Sequence, residues 1–194
     1  MEVDKVDYRV RVTNELLSAA LIDMLKKKTI KSITIKGLCD AANINRTTFY
    51  AHYNDIDDLV SQVEKVLFSD LQAIINRCYS DRKYLLDQIY VDVFKLVAKH
   101  ADLFSVLISK NADPSFVQKV SDMGKDMFVT VYKSMYPGNS TKYLQYYYVS
   151  VLSSFIAIIR FWLDSNMAES IYEISKISKK IITEGIGFIT PHNT

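Results

Sequence analysis

The chain has 194 residues, 49% of them hydrophobic, with only five Gly and three Pro, a composition that favours a helical fold with a sizeable core over turn-rich β-structure. A formal net charge of +2 excludes a polycation that binds nucleic acid through bulk charge. Two cysteines, Cys39 and Cys78, make no disulfide framework, and the charged start MEVDKVDYRVR does not look like a signal peptide, so we expect a cytoplasmic protein.

The first predicted helix covers residues 7–28, and four lysines (Lys26, Lys27, Lys28 and Lys31) follow at its C-terminal end, where they complement the helix dipole. Positive charge is concentrated in this part of the chain. Residues 1–53 hold nine Lys and Arg against six Asp and Glu, a net charge of +3, whereas residues 54–194 hold fifteen against sixteen, a net charge of −1. The apolar stripe of this helix consists of Val12, Leu16, Ala20, Leu21, Met24 and Leu25.

Two short helices joined by a tight turn are predicted over Thr34 to Tyr53, TIKGLCDAANINRTTFYAHY. Thr34 is a suitable N-cap for the first, whose apolar face would be Ile35, Leu38 and Ala41. Asn43 tolerates the left-handed conformation that ends a helix, and Asn45 is the next N-cap.

The second of these helices would be Arg46 to Tyr53, with Phe49 and Tyr53 facing inward at a spacing of four. No acidic residue lies between Asn43 and Tyr53, which distinguishes this helix from an ordinary solvated one. Hydrogen-bond donors for phosphates or base edges fill its outer face. The predicted DNA-binding residues, including the two N-caps and a neighbouring lysine, are Thr34, Lys36, Asn45, Arg46, Thr47, Thr48, Tyr50 and His52.

Beyond this motif, only helices are predicted. Asp55 would cap a helix with an apolar face from Ile56 to Cys78. Further helices are expected from Ser80 or Asp81 to His100, from Asp102 to Ser109, and from Pro114 to Tyr136, with Asp113 as the cap of the last. The turn 137–140 precedes a long helix from Thr141 to Ser165, Asn166 is a left-handed stop, and Ser170 with Glu173 forms a capping box for the last helix.

The long helix contains a stretch, Tyr143 to Leu163, that could span a bilayer by length. Its polar residues, among them Gln145 and Arg160, favour a helix buried on most sides within a protein that has no membrane partner. The last two helices carry more apolar surface than one small bundle covers, so either an intramolecular core or a homodimer interface is expected. The residues predicted for that interface are Phe155, Ile158, Ile159, Trp162, Ile174, Ile177 and Ile181.

A central group of aromatic and Met side chains allows two interpretations. Each residue taken singly suits plain core packing, whereas together they suit a pocket for a small apolar or aromatic effector. These candidate pocket residues are Tyr90, Phe94, Phe104, Phe116, Met123, Met127, Tyr147 and Phe155.

The sequence contains no pattern typical of catalysis. The histidines His52, His100 and His192 have no metal-ligand spacing, and neither a Gly-rich phosphate loop nor a Ser elbow is present. We therefore predict a protein that is not an enzyme and uses no metal or cofactor.

From Val10 to Leu71 the chain resembles the N-terminal domain of the TetR family of bacterial transcriptional regulators, most specifically in INRTTFYAHY followed by Asp-x-x-Asp-Leu. The segment FIAIIRFWLDSNMAES resembles the C-terminal domain of a Firmicute-like branch of that family, in which these helices dimerise. Three positions depart from the family pattern. Asn43 stands where Gly is frequent, Gly37 where a polar residue is usual, and Ile56 where many members have a phosphate-contacting Lys.

The resemblance implies an all-α fold, in which an N-terminal three-helix helix-turn-helix domain (residues 1–54) is joined by a shared helix to a C-terminal helical bundle for effector binding and dimerisation (residues 55–194). It implies a homodimeric repressor that binds a palindromic DNA operator and is released by a small ligand. The alternative is an all-α adaptor module that keeps the fold without a specific operator or ligand, which the modest net charge and Ile56 would suit.

Overall fold

Nine α-helices and one 3₁₀ turn make up the described part of the chain, which comprises residues 2–81, 84, 88–109, 112–138 and 140–185 of a computed structural model. No strand occurs among these residues, and the all-α prediction is confirmed. The helices are α1 (Glu2–Leu25), α2 (Ile35–Ala42), α3 (Arg46–His52), α4 (Ile56–Ser80), α5 (Ile89–Lys99), α6 (Ala101–Leu107), α7 (Ser115–Met135), α8 (Thr141–Asp164) and α9 (Ile171–Glu184), and the 3₁₀ turn is Ile30–Ser32.

Contacts between residues divide the chain into two compact units. The first contains the chain up to Phe68, and the second contains Ser69–Ser109 together with the chain from Pro114 onward. Helix α4 runs through Phe68 without a break.

The core of the first unit is formed by α1, α2, α3 and the start of α4. Its five most buried large side chains, each with at most 1% of its surface exposed, are Leu17, Leu21, Leu38, Phe49 and Leu59.

Two predicted apolar faces in the first unit were wrong by one residue. Leu16 is 44% exposed while Leu17 is fully buried, and in α2 Ala42 is buried while Ala41 is exposed. Adjacent helical positions lie about 100° apart, so the edge of an apolar stripe is poorly defined by spacing alone. Helix α1 also ends at Leu25, so the lysines from Lys26 follow the helix instead of forming its last turn.

Gly37 occupies the third position of α2 and not the middle of a helix. Its backbone N–H donates to Thr34 Oγ1 at 3.1 Å, so it belongs to the capping turn. A Cβ added here would lie 3.2 Å from that hydroxyl oxygen. The short distance to the Thr34 hydroxyl favours a residue without a Cβ at this position, which could not be inferred from the sequence.

In the second unit, α9 packs against α5 and α8, and α7 packs against α8. The buried side chains of α9 are Ile174, Ser175 and Ser178, and the two small serines permit close helix packing. Trp162 of α8 is 1% exposed, its indole N–H donates to the Glu169 carbonyl oxygen at 3.0 Å, and its ring meets that of Phe94 edge-on at 5.2 Å.

Some of the helix ends and caps predicted for this unit are confirmed, and others differ from the structure. Asn166 adopts the left-handed conformation (φ 58°), and the Ser170–Glu173 capping box forms. Helix α7 begins at Ser115, one residue later than predicted. The predicted helix from Ser80 or Asp81 is described from Ile89 onward, and most of its beginning lies outside the described residues.

The neighbours Leu16 and Leu17 provide a matched test of the first core. We expect Leu17→Ala to lower the free energy of unfolding by about 2–5 kcal/mol, because it leaves a cavity in a fully buried site. Leu16→Ala, in the same helix, should change it by no more than about 0.5 kcal/mol. Urea unfolding followed by circular dichroism measures both. Equal losses for the two variants would contradict the burial pattern.

Candidate DNA-binding surface and apolar cavity

The turn between α2 and α3 is fixed by local hydrogen bonds. Asn43 ends α2 in the left-handed conformation (φ 53°, ψ 42°), and the Ile44 N–H donates to the Cys39 carbonyl oxygen at 2.9 Å. Asn45 Oδ1 then accepts from the Thr47 N–H at 2.9 Å, which caps α3. These bonds set the direction in which α3 leaves the turn.

Two aromatic side chains hold α3 against the core. Phe49 is 0% and Tyr53 4% exposed, and their ring centroids lie 5.6 Å apart. The Tyr53 hydroxyl donates to Asn14 Oδ1 of α1 at 2.9 Å. Burial raises the pKa of Tyr53, so this hydroxyl remains a donor at neutral pH. The inner face of α3 is thereby fixed, and the opposite face is left to solvent.

The exposed surface of α3 presents uncompensated positive charge and hydrogen-bond donors. Arg46 and Thr47 are exposed, Tyr50 is 52% exposed, and Thr48 and His52 are half-buried. Helix α3 carries no acidic residue, and Arg46 has no carboxylate partner within the described ranges. The other predicted DNA-binding residues, Thr34, Lys36 and Asn45, are also exposed, at the start of α2 and α3.

A compact corner joins α3 to α4. Asp58 Oδ2 accepts from the Asn54 backbone N–H at 3.0 Å and from its side-chain Nδ2 at 2.9 Å. The Asp58 N–H donates in turn to Asp55 Oδ1 at 2.8 Å, so Asp55 caps α4 as predicted. The hydrogen bond from the Asn54 N–H is the main cause that lowers the pKa of Asp58. Ile56 is half-buried and packs against the first core, so it is a packing residue here.

The second unit contains an apolar cavity of about 180 Å³. Among the described residues that line it, none is charged, and the polar side chains are three tyrosines, Tyr90, Tyr132 and Tyr148. The Tyr148 hydroxyl donates to the Ser121 carbonyl oxygen at 2.7 Å. A Cβ added to Gly124, which also lines the cavity, would lie 2.8 Å from that hydroxyl oxygen.

Five of the eight predicted pocket residues line this cavity, namely Tyr90, Phe104, Phe116, Met127 and Phe155. The other three lie elsewhere. Phe94 is fully buried between Phe155 and Trp162, Tyr147 packs on Phe128 and Tyr132, and Met123 is half-buried on α7.

Sequence reasoning missed Tyr148 and Gly124 as parts of the cavity wall. A glycine inside an otherwise helical pattern signals a close approach, and that signal was available at Gly124.

The residues predicted for a dimer interface divide by burial. Ile159, Trp162 and Ile174 are 5%, 1% and 4% exposed, so their own chain covers them, and Phe155 lines the cavity. The remaining three, Ile158, Ile177 and Ile181, are half-buried.

Helix α8 exposes a different apolar face. Phe161 is 71% exposed, and Ala157 and Ser153 lie one and two turns before it on the same side. Contrary to expectation, the helix is not buried on most sides within its own chain. Thr141–Asp164 is in fact long and apolar enough to cross a membrane by length and composition.

Within the described ranges, no group of three His, Cys, Asp or Glu residues could hold a metal ion. His52 lies on α3 and His100 between α5 and α6, while His192 lies outside the described residues.

A family model described as "Transcriptional regulator C-terminal region", of the TetR type, matches residues 86–184, just over half of the chain. The chain therefore belongs to the TetR family of transcriptional regulators. Members of this family are DNA-binding regulators that act as dimers and are not enzymes. No curated protein sequence matches the chain.

Solved structures with similar folds have low sequence identity. The fatty acid degradation regulator FadR from Bacillus halodurans is 10% identical, with a TM-score of 0.67 over 90% of this chain and 96% of that one. A TetR transcriptional regulator from Streptococcus agalactiae 2603V is 20% identical, with a TM-score of 0.63 over 93% and 98%. NalD, the secondary repressor of the MexAB-OprM multidrug efflux pump in Pseudomonas aeruginosa, is 12% identical, with a TM-score of 0.66 over 92% and 97%. These likenesses concern the fold.

The contact between Gly124 and Tyr148 generates a double-mutant test. We expect Gly124→Ala to destabilise the protein, because the new methyl group displaces the Tyr148 hydroxyl from Ser121. In a Tyr148→Phe background, the same substitution should instead stabilise by up to about 1 kcal/mol, the helix-propensity difference between Ala and Gly.

Thermal and urea unfolding of the four proteins in this cycle give the coupling between the two positions. Additive effects, with no change of sign, would contradict the close approach of α7 and α8 at this point.

Proposed function

We propose that this chain is a sequence-specific transcriptional repressor that acts as a homodimer on a palindromic DNA operator. The observation that carries the proposal is the fixed α3, which is held against the core by Phe49 and Tyr53 and exposes Arg46, Thr47 and Tyr50 to solvent. Residues 1–54 form the DNA-binding domain in this proposal, and residues 55–194 form the effector-binding and dimerisation domain. The protein works in the cytoplasm, where its operator is.

The exposed residues divide into two roles. Arg46, Thr47 and Thr48, in the first turn of α3, read base edges in the major groove, because the first residues of a recognition helix contact bases. Lys36, Tyr50 and His52 contact phosphates, as do the capping residues Thr34 and Asn45. Phosphate contacts position the helix without specifying sequence.

Dimerisation uses α8 and α9 in this proposal. Phe161, 71% exposed, is the main apolar contact, and Ala157 and Ser153 allow a second helix to approach closely. The half-buried Ile158, Ile177 and Ile181 flank this face. A second copy covers the apolar side of α8, which membership of a family of dimeric regulators favours over a membrane.

A small apolar or aromatic ligand in the cavity of the second unit releases the DNA in this proposal. Such a ligand shifts the equilibrium only if it binds the conformation unable to bind DNA better than the DNA-binding one. The cavity is apolar and lies entirely within the second unit. Val120 and Val151 line the cavity, so a larger side chain at either position would fill it and mimic or block the ligand.

The function is tested by selecting bound sequences from random DNA with the wild type, Arg46→Ala and Tyr50→Phe. The wild type should recover a palindrome with half-sites one helical turn apart. Arg46→Ala should weaken binding by about 1–3 kcal/mol and relax the preference at one position of each half-site. Tyr50→Phe should weaken binding to all sequences alike, because a phosphate contact carries no sequence information.

Recovery of no palindrome would refute the proposal and favour the adaptor function. Identical changes of selectivity in the two variants would show that the roles of Arg46 and Tyr50 are wrongly assigned.

The dimer is tested by sedimentation of the wild type and of two single variants, Phe161→Lys and Val66→Lys. We expect the wild type to sediment as a dimer and Phe161→Lys as a helical monomer, because the new charge would have to be buried without a partner. Val66 of α4 is 54% exposed and is the matched control, which should remain dimeric. A monomeric wild type, or a dimeric Phe161→Lys variant, would contradict the proposed interface.

A further inference from the structure

The cavity in the second unit contains very few polar groups, and their hydrogen bonding and protonation limit which ligands can bind. Of its three tyrosines, Tyr148 already donates its hydroxyl hydrogen to Ser121. The hydroxyls of Tyr90 and Tyr132 make no hydrogen bond to any described residue. Both side chains are half-buried, and neither oxygen belongs to the fully buried polar atoms that lack a partner. With respect to the part of the chain that the structure describes, each hydroxyl therefore keeps accessible surface and an unused donor.

The rings that carry these two hydroxyls are held by other cavity residues. Tyr132 stacks on Phe128, with ring centroids 4.1 Å apart and planes at 14°. Tyr90 meets Phe155 edge-on at 5.8 Å. Aromatic packing of this kind limits the positions that the hydroxyls can take.

The two hydroxyls are also electrostatic neighbours. Burial raises the pKa of Tyr132, and the nearby Tyr147 and Tyr90 raise it further. Burial likewise raises the pKa of Tyr90, to about 12. Both groups therefore remain protonated donors at neutral pH, and neither provides a charge.

We propose that the cavity binds an uncharged, compact molecule of about one aromatic ring, whose carbonyl, ether or hydroxyl oxygen accepts hydrogen bonds from Tyr90 and Tyr132. The size follows from the volume, since a cavity of about 150 Å³ holds benzene and this one has about 180 Å³. This inference rests on the effector function proposed above and defines the chemical class of the effector.

The apolar wall excludes charged ligands of the same size. A carboxylate or an ammonium group transferred there loses its hydration and finds no opposite charge among the described lining residues. A ligand without any polar atom would enter but would leave both tyrosine donors unused. Selectivity therefore favours one oxygen atom on an otherwise apolar molecule.

Four probes of nearly equal size separate these cases: acetophenone, ethylbenzene, benzoate and α-methylbenzylamine. Their binding to the full chain is measured by calorimetry at neutral pH, without DNA. We expect acetophenone and ethylbenzene to bind, and benzoate and α-methylbenzylamine, both charged, to bind at least about tenfold more weakly than acetophenone.

Substitution of both tyrosines tests the role of the two hydroxyls. Tyr90→Phe with Tyr132→Phe should weaken acetophenone binding about five- to tenfold and change ethylbenzene binding by less than about twofold, because only acetophenone uses the donors. Tyr146→Phe is the matched control, since this tyrosine of α8 is 66% exposed and does not line the cavity. It should leave both affinities unchanged.

Equal or tighter binding of benzoate or α-methylbenzylamine would overturn the proposed ligand class, as would the failure of both neutral probes to bind. An equal loss for acetophenone and ethylbenzene in the double variant would show that the tyrosines only shape the cavity. Operator affinity is measured separately with each probe. If acetophenone binds as expected but leaves operator affinity unchanged, the ligand class stands and ligand control of DNA binding fails.

Discussion

The burial of Phe49 is the constraint on which the first unit depends. A helix of seven residues is too short to be stable alone and takes its stability and rotation from the face it buries. The side chain of Phe49 lies between α3 and the core with no exposed surface. The hydroxyl of Tyr53, one turn later, donates a hydrogen bond to Asn14 of α1. Because both anchors lie on one side, Thr47 and Tyr50 are left on the solvent side, and Arg46 is exposed at the N-terminal end of the helix. The chemistry of the outer face is therefore a consequence of apolar packing on the inner face.

In the second unit, α8 contributes to two different surfaces. One side of it lines the apolar cavity with Val151, Leu152 and Phe155, while another side exposes Ala157 and Phe161. A helix that is apolar nearly all round usually needs cover on every side. The folded chain provides that cover only in part. This explains why a transcriptional regulator contains a helix that also satisfies the length and composition of a membrane span.

Local features of the fold could be predicted from sequence, and long-range ones could not. Asn43, Asn45 and the Ser170–Glu173 pair act within a few residues of themselves, so their capping roles follow from residue type and spacing.

The burial of Trp162 could not be predicted in the same way, because apolarity does not say whether Phe94 of the same chain or a second copy will cover the ring. For the cavity, the residue types in the sequence correctly indicated that aromatic side chains would line it. The choice between Tyr147 and Tyr148 depended on the rotation of α8, which places Tyr148 against Gly124 and in the cavity wall.

The corner between α3 and α4 leaves no room for a change in chain length. Tyr53, Asn54 and Asp55 separate the two helices, and the side chain of each is held by a hydrogen bond. One inserted residue would disrupt these hydrogen bonds and displace the start of α4, which carries Leu59 of the first core. Gly138 offers the opposite situation, since a Cβ there would meet no atom within 4 Å. Over evolutionary time, insertions and deletions should therefore accumulate near the α7–α8 turn and be eliminated at the α3–α4 corner.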